Sequence, residues 1–223
     1  MTIELHPLWL SLKLALITSL ILFIIGVPVA YFLSQSKWRY KFLLEALFSL
    51  PLVLPPSVLG FYLLISFSPN DGLGLFLKET FDIQLVFTFA GLVFGSIIYS
   101  FPFMVQPIQA AMENLPVSLS EAAFTMGKSR LETLWYVILP NIKPALLSGV
   151  VLSFAHTMGE FGVVLMLGGN IPDVTRVASL AFFDEVEALY YSAAHFYAAV
   201  LLVSSFVIIT ITYWLNKQTN WIR

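Results

Sequence analysis

Few side chains in this 223-residue chain could do chemistry. Its three histidines, His6, His156 and His195, are scattered, the HExxH zinc pattern is missing, and there is no cysteine. Without cysteine there can be no disulfide, thiolate metal site or thiol nucleophile. Gly127-Lys128-Ser129 ends like a phosphate-binding loop, which needs GxxxxGK[ST]. The first glycine of that pattern should stand at 122, where the chain has Ala122, and the preceding Ser118-Leu-Ser-Glu-Ala-Ala reads as helix, not as a buried strand. The chain is therefore not expected to bind nucleotide, and no cofactor or metal site is expected. What remains is His156 and Glu160, four apart and so on one face of a helix. Glu160 lies roughly 24 Å from Pro144 at 1.5 Å per residue, and it is the one acid expected inside a membrane span. An unpaired carboxylate there is costly. The expectation is that His156 neutralises it by a hydrogen bond or as an ion pair. Such a pair would either fix its helix by packing or support a polar pathway.

These residues sit in a strongly apolar chain, 59% hydrophobic and 11% charged, with a mean hydropathy of +0.88. A soluble domain carries about 25% charged residues. The net charge of -2 offers no electrostatic case for nucleic acid. Apolar runs long enough to cross a bilayer recur along the chain. They give an all-α integral membrane protein with five expected spans, at 8–33, 42–67, 85–112, 141–167 and 193–215. The first run has no basic region before it and is too long for a signal peptide's apolar core, so it reads as a span. No soluble domain is expected.

Charges sort between the two sets of loops. Lys37, Arg39 and Lys41 follow the first span, Lys128, Arg130 and Lys143 lie in or beside the long loop 113–140, and Lys217 and Arg223 end the chain. The other loops carry Asp71, Glu79, Asp82, Asp173, Asp184, Glu185 and Glu187, with Lys78 and Arg176. Lys and Arg favour the cytoplasmic side, which puts the N-terminus outside and the C-terminus and the 113–140 loop inside.

Proline punctuates the spans at Pro28, Pro51, Pro55, Pro56, Pro102 and Pro107. Each removes a helix hydrogen bond. In a membrane that is tolerated where neighbouring helices or a wet cavity satisfy the freed carbonyls. Pro51-Leu-Val-Leu-Pro55-Pro56 is either ordinary membrane proline or a break in span two beside a pathway. Gly91 and Gly95 form a GxxxG that permits close helix approach. Intramembrane Ser49, Ser57, Ser66, Ser96, Tyr99, Ser100, Gln106, Ser148, Ser153 and Thr157 either tie helices together or, as a set, line a polar path. Within the long loop, Ser118 with Glu121 and Ser129 with Glu132 each have capping-box spacing. Gly127 between them suits a left-handed helix end. The second helix is expected to stop before Pro140, and Pro144 suits the first turn of span four. Together these signals predict a helix-turn-helix.

Glu121-Ala122-Ala123, three residues, Gly127, ten residues and Ile138-Leu139-Pro140 together resemble the EAA motif of ABC importer permeases, between the third and fourth of five spans. Leu50-Pro-Leu-Val-Leu-Pro-Pro-Ser-Val-Leu-Gly60, Gly159-Glu-Phe-Gly162, Gly169-Asn-Ile-Pro172 and Thr175-Arg176 resemble the molybdate and sulfate permease branch of that family. Members of that branch often carry Arg where this chain has His156.

The resemblance implies the type I ABC importer permease fold, in a multi-pass protein of the cytoplasmic membrane embedded in lipid. It implies a transport subunit, not an enzyme, with a homodimer of permeases, cytoplasmic ATP-binding subunits and an extracytoplasmic oxyanion-binding protein as partners. It makes Glu121, Ala122, Ala123, Gly127, Ile138, Leu139 and Pro140 the ATPase-coupling residues. Ser57, Ser153, His156 and Glu160 are the candidates for supporting a pathway or gate. The implied cargo is a tetrahedral oxyanion, molybdate first, with tungstate or sulfate, and after them another small solute, as alternatives. The acidic loops at Asp173, Asp184, Glu185 and Glu187 are either a docking surface for the binding protein or a solvated charged loop. Two other classes fit less well. An intramembrane hydrolase needs an assembled nucleophile and base or a metal. A secondary transporter needs an inverted repeat and mid-membrane acids, and no such repeat is visible.

Overall fold

A computed structural model describes residues 4–220, with side chains described as far as Leu215. All regular structure among the described residues is helical. Arg223 lies outside those residues, and Lys217 falls where the backbone alone is described, so neither bears on the expected charge sorting.

The frame is a pair of long helices, α1 (His6–Gln35) and α5 (Phe89–Glu113), packed along each other. Pro7 is in the first turn of α1, where its missing N–H costs nothing. One stripe of α1, including Leu10, Leu14, Leu22, Ala30 and Leu33, is buried. Leu16, Leu20 and Ile24 on the other side are exposed, as a lipid-facing side requires. In hydrocarbon, burying leucine is not itself a driving force, so close packing must hold these helices together.

The second apolar segment is two helices, α2 (Lys41–Val53) and α3 (Pro56–Ser66), bent by 112° about Leu54 and Pro55. Pro55 and Pro56 cannot continue the hydrogen-bond ladder of α2, and Pro56 instead opens α3. This is the proline break that the sequence left open. A short helix, α4 (Gly72–Phe81), follows and ends at Asp82 in a left-handed conformation. The spacing of Gly91 and Gly95 does not make one helix seam. A Cβ on Gly95 would lie 2.9 Å from Leu167, a true close approach between helices, but one on Gly91 would first meet the backbone of Leu85 in the preceding loop.

The loop after α5 contains α6 (Val117–Thr125), α7 (Arg130–Thr133), a π-helical turn at Leu134–Ile138 and α8 (Leu139–Asn141). Next come α9 (Lys143–Met158), with Pro144 in its first turn, and α10 (Gly162–Gly168). The bend between Arg130–Asn141 and Lys143–Met158 is 79°. The expected continuous span at 141–167 is interrupted instead at Gly159-Glu160-Phe161. The last helices are α11 (Ala178–Glu187) and α12 (Tyr191–Asn220).

Among the described residues three helices, α1, α5 and α12, are long and apolar enough to cross a membrane unbroken, and the two bent pairs raise the number to as many as five. On one end of the fold, Arg176 pairs with Asp184 at 3.1 Å and with Glu4 at 3.4 Å, Asn170 donates to both oxygens of Asp184, and Tyr197 donates to the Glu4 carbonyl. Asp184 is thus spent inside the fold, whereas Asp173 keeps an exposed side chain with His6 3.4 Å away.

Candidate functional site: a docking loop and a cavity at two helix breaks

The loop 113–140 is built from two short helices and the turn between them. Helix α6 begins at Val117 with Pro116 as its cap residue. The expected box between Ser118 and Glu121 therefore does not form, because proline's fixed φ sets the entry two residues earlier. Glu121 and Ala122 are exposed and Ala123 is buried. The helix closes through Lys128 N–H to the Ala123 carbonyl at 3.0 Å and Gly127 N–H to the Phe124 carbonyl at 2.9 Å. Gly127 has φ +80°, the left-handed turn expected of it, and open space around its Cα.

The second box does form. Ser129 Oγ accepts from Glu132 N–H at 3.2 Å, and the Glu132 carboxylate accepts from Ser129 N–H at 2.8 Å. That backbone bond, helped by the Ser129 hydroxyl and Lys128, holds the Glu132 carboxyl below its ordinary range. The second helix does not stop before Pro140. It passes through Pro140 to Asn141, because the wider π turn ahead of the proline relieves the clash that an α turn would impose.

The two ends of the motif have opposite surroundings. Val117, Phe124, Met126, Leu131, Trp135 and Tyr136 are exposed. Ile138 is buried with Leu134 and Ile142 against Leu22, Ala30 and Leu33 of α1 and Met104, Ile108 and Met112 of α5, and Leu139 packs on the same cluster. Pro140 is exposed. An apolar knob outside is thus joined by a few residues to the centre of the helix frame.

The second candidate region is a cavity of about 560 Å³ where both broken segments meet. It is lined by Pro56 and Ser57 from the start of α3, Tyr99 from α5, and His156, Gly159, Glu160 and Gly162 around the break after α9. A Cβ on Gly162 would fall 2.7 Å from Pro56 Cβ and 2.8 Å from Ser57 N. Glycine is what lets the two breaks touch.

His156 and Glu160 line this cavity but do not pair. Ser96 donates to Glu160 Oε2 at 2.6 Å, and Glu160 Oε1 is buried without a partner among the described residues. His156 Nδ1 is 2.9 Å from Ser100 Oγ, and its ring is held between Phe103, stacked at 4.0 Å, and Tyr99 at 4.5 Å. The expected neutralisation fails because the helix ends at Gly159, so the spacing of four no longer puts the two side chains on one face. Ser179 at the start of α11 donates to the Glu160 carbonyl at 2.5 Å, and so ties down the break. Of the four pathway candidates the cavity gathers Ser57, His156 and Glu160. Ser153 is buried outside the lining, and its hydroxyl has no partner among the described residues.

A polar crevice between α2 and α5 had not been expected. Lys41 pairs with Glu113 at 2.7 Å and Glu45 at 3.3 Å, Gln109 donates to both acids, and Gln106 donates to Ser49. Glu45 is therefore a second acid within the apolar segments, alongside Glu160. The four-residue spacings Lys41–Glu45 and Gln109–Glu113 were the readable signal.

Comparison with known proteins agrees with this architecture. Residues 14–220 match the family described as binding-protein-dependent transport system inner membrane component. The molybdenum transport system permease protein ModB of Azotobacter vinelandii is 42% identical over 94% of this chain and 93% of its own length. The sulfate transport system permease protein CysT of Salmonella typhimurium is 37% identical over 89% of this chain and 72% of its own. Among solved structures, a bacterial alginate ABC transporter in complex with a pentasaccharide-bound periplasmic protein shares the fold, with a TM-score of 0.79 at 18% identity over 98% of this chain and 80% of that one. This multi-pass membrane chain belongs to the binding-protein-dependent transport system inner membrane components, the permease subunits of ABC importers.

Proposed function

We propose that this permease carries a tetrahedral oxyanion, molybdate first, inward across the cytoplasmic membrane. It works as a homodimer with two cytoplasmic ATP-binding subunits and an extracytoplasmic oxyanion-binding protein. The observation that carries the cargo is the 42% identity to a molybdenum permease over almost the full length of both chains. Sulfate is the second reading, favoured by the 37% identity to a sulfate permease that this chain covers over 72% of its length.

In this reading the N-terminus is outside, the C-terminus is cytoplasmic, and the 113–140 loop is the coupling element. Glu121, Ala122, Ala123 and Gly127 shape the exposed helix that meets the ATPase. Ile138, Leu139 and Pro140 pass its displacement into the α1–α5 frame. The break cavity, with Ser57, His156 and Glu160 on its wall and Ser153 buried outside the lining, supports the pathway or its gate. A path must bind its ion weakly enough to release it, and neutral hydroxyls suit that better than a fixed cluster of charge.

The test is uptake in cells that lack their own molybdate permease and express this chain with its ATPase and binding protein. Radiolabelled molybdate should accumulate, and a tenfold excess of sulfate should leave most of that uptake intact. Uptake of sulfate that molybdate does not inhibit would move the cargo to the second reading.

A further inference from the structure

His156 is held by a chain of hydroxyls whose protons can be assigned. Thr157 Oγ1 donates to the Ser153 carbonyl at 2.9 Å, and a threonine hydroxyl has one proton to give. Ser100 Oγ is 2.9 Å from Thr157 Oγ1 and 2.9 Å from His156 Nδ1. With the Thr157 proton on the Ser153 carbonyl, the Ser100 proton fills the Ser100–Thr157 contact. Ser100 then has nothing to give His156, and Nδ1 must carry the proton and donate it. The order is His156 Nδ1–H to Ser100, Ser100 to Thr157, Thr157 to the Ser153 carbonyl.

The other ring nitrogen follows from this. In a neutral imidazole with Nδ1–H, Nε2 is a bare acceptor. Among the described residues Nε2 has no protein partner, and His156 is part of the cavity wall. The aromatic rings of Phe103 and Tyr99 on either side keep the imidazole from turning. The lining thus contains one nitrogen whose hydrogen-bonding sense reverses with a single proton. A fully deprotonated tetrahedral anion offers only acceptors. It meets a lone pair at neutral Nε2 and a donor at protonated Nε2.

We propose that the cavity takes a tetrahedral oxyanion together with one proton, held on His156 Nε2, so that passage of the anion is proton-linked. This rests on the oxyanion reading above. The proton adds to the Nε2 lone pair as the anion enters and returns to water when it leaves, and no covalent bond to the cargo forms. Two other titratable groups share the lining. Glu160 is directed to Ser96 with its second oxygen buried, and Tyr99 from α5 is the remaining titratable group in the lining. From the other helices packed on α9, Lys13 of α1 lies over Phe89, Tyr197 of α12 bonds to Glu4, and His195 of α12 is exposed, none of them in the lining.

The experiment uses the whole complex in lipid, with two readouts. Nitrogen NMR of 15N-histidine-labelled permease, with His156→Gln to assign the signal, should show protonated Nδ1 and bare Nε2 at pH 8. Adding molybdate and the binding protein should convert His156 to the doubly protonated ring. ATP-driven molybdate uptake by wild type, relative to His156→Arg, should fall about tenfold or more from pH 6 to pH 8. The ratio cancels the pH responses of the ATPase and binding protein. His156→Gln, which cannot take the proton, should transport weakly and without that pH dependence. Ser100→Ala should yield a mixture of ring tautomers. An Nε2–H tautomer at pH 8, a ring unchanged by molybdate, or a constant uptake ratio would overturn the inference and leave the oxyanion reading standing. A wild-type complex that moves neither molybdate nor sulfate at any pH would remove both.

Discussion

At the scale of single residues, the buried acid and the exposed acid do different work. Glu160 is 3% exposed, and its one side-chain hydrogen bond is from Ser96. Glu160→Ala strands the Ser96 hydroxyl and should cost on the order of 1–3 kcal/mol. Glu160→Gln keeps an acceptor for Ser96 and should cost less. Thermal midpoints of the detergent-purified permease will rank them, and equal midpoints would mean that the Ser96 bond contributes nothing. Glu132 is the opposite case, a surface carboxylate in a capping box. Its folded value is depressed below 4.5, so its contribution is present above that value and is lost as pH falls through the folded value. Hydrogen exchange in residues 129–133 should therefore become less protected below about pH 4 in wild type, and Glu132→Gln should not show this step.

At the scale of elements, the proposed function rests on places where helices break. Gly127→Ala places a Cβ on a residue with φ +80°, a strain of roughly 1–2 kcal/mol. It should lower transport-coupled ATPase activity several-fold while the ATPase subunit still copurifies. Gly162→Ala drives a Cβ into Pro56 and Ser57 and should push α10 off α3, abolishing uptake with the coupling loop intact. The left-handed turn at Gly127 and the box at Ser129 and Glu132 were legible in the sequence because each is set by neighbours a few residues away. The course through Pro140 was not. Whether proline ends a helix depends on the π turn before it, and that turn depends on how Leu134 and Ile138 sit against α1 and α5. The separation of His156 from Glu160 was hidden for a similar reason. It follows from a helix end at Gly159 that no proline marks, fixed by Ser179 from a distant helix.

At the scale of the molecule, the account commits to a sidedness and an energy source. The native chain lacks cysteine, so single introduced cysteines report sidedness cleanly. Asp173→Cys is the better outer probe, since Asp173 is exposed while Asp184 is held by Arg176 and Asn170. It should react with an impermeant thiol reagent from outside intact cells, and Lys128→Cys should react only after the membrane is opened. The reverse pattern would invert the topology. The central claim is that ATP hydrolysed by a partner drives an oxyanion through this chain. The most direct measurement is uptake of radiolabelled molybdate into vesicles holding the permease with its ATPase and binding protein. The account predicts accumulation that requires hydrolysable ATP on the side of the 113–140 loop and falls several-fold in the Gly127→Ala complex. Accumulation driven by an ion gradient without ATP would contradict it.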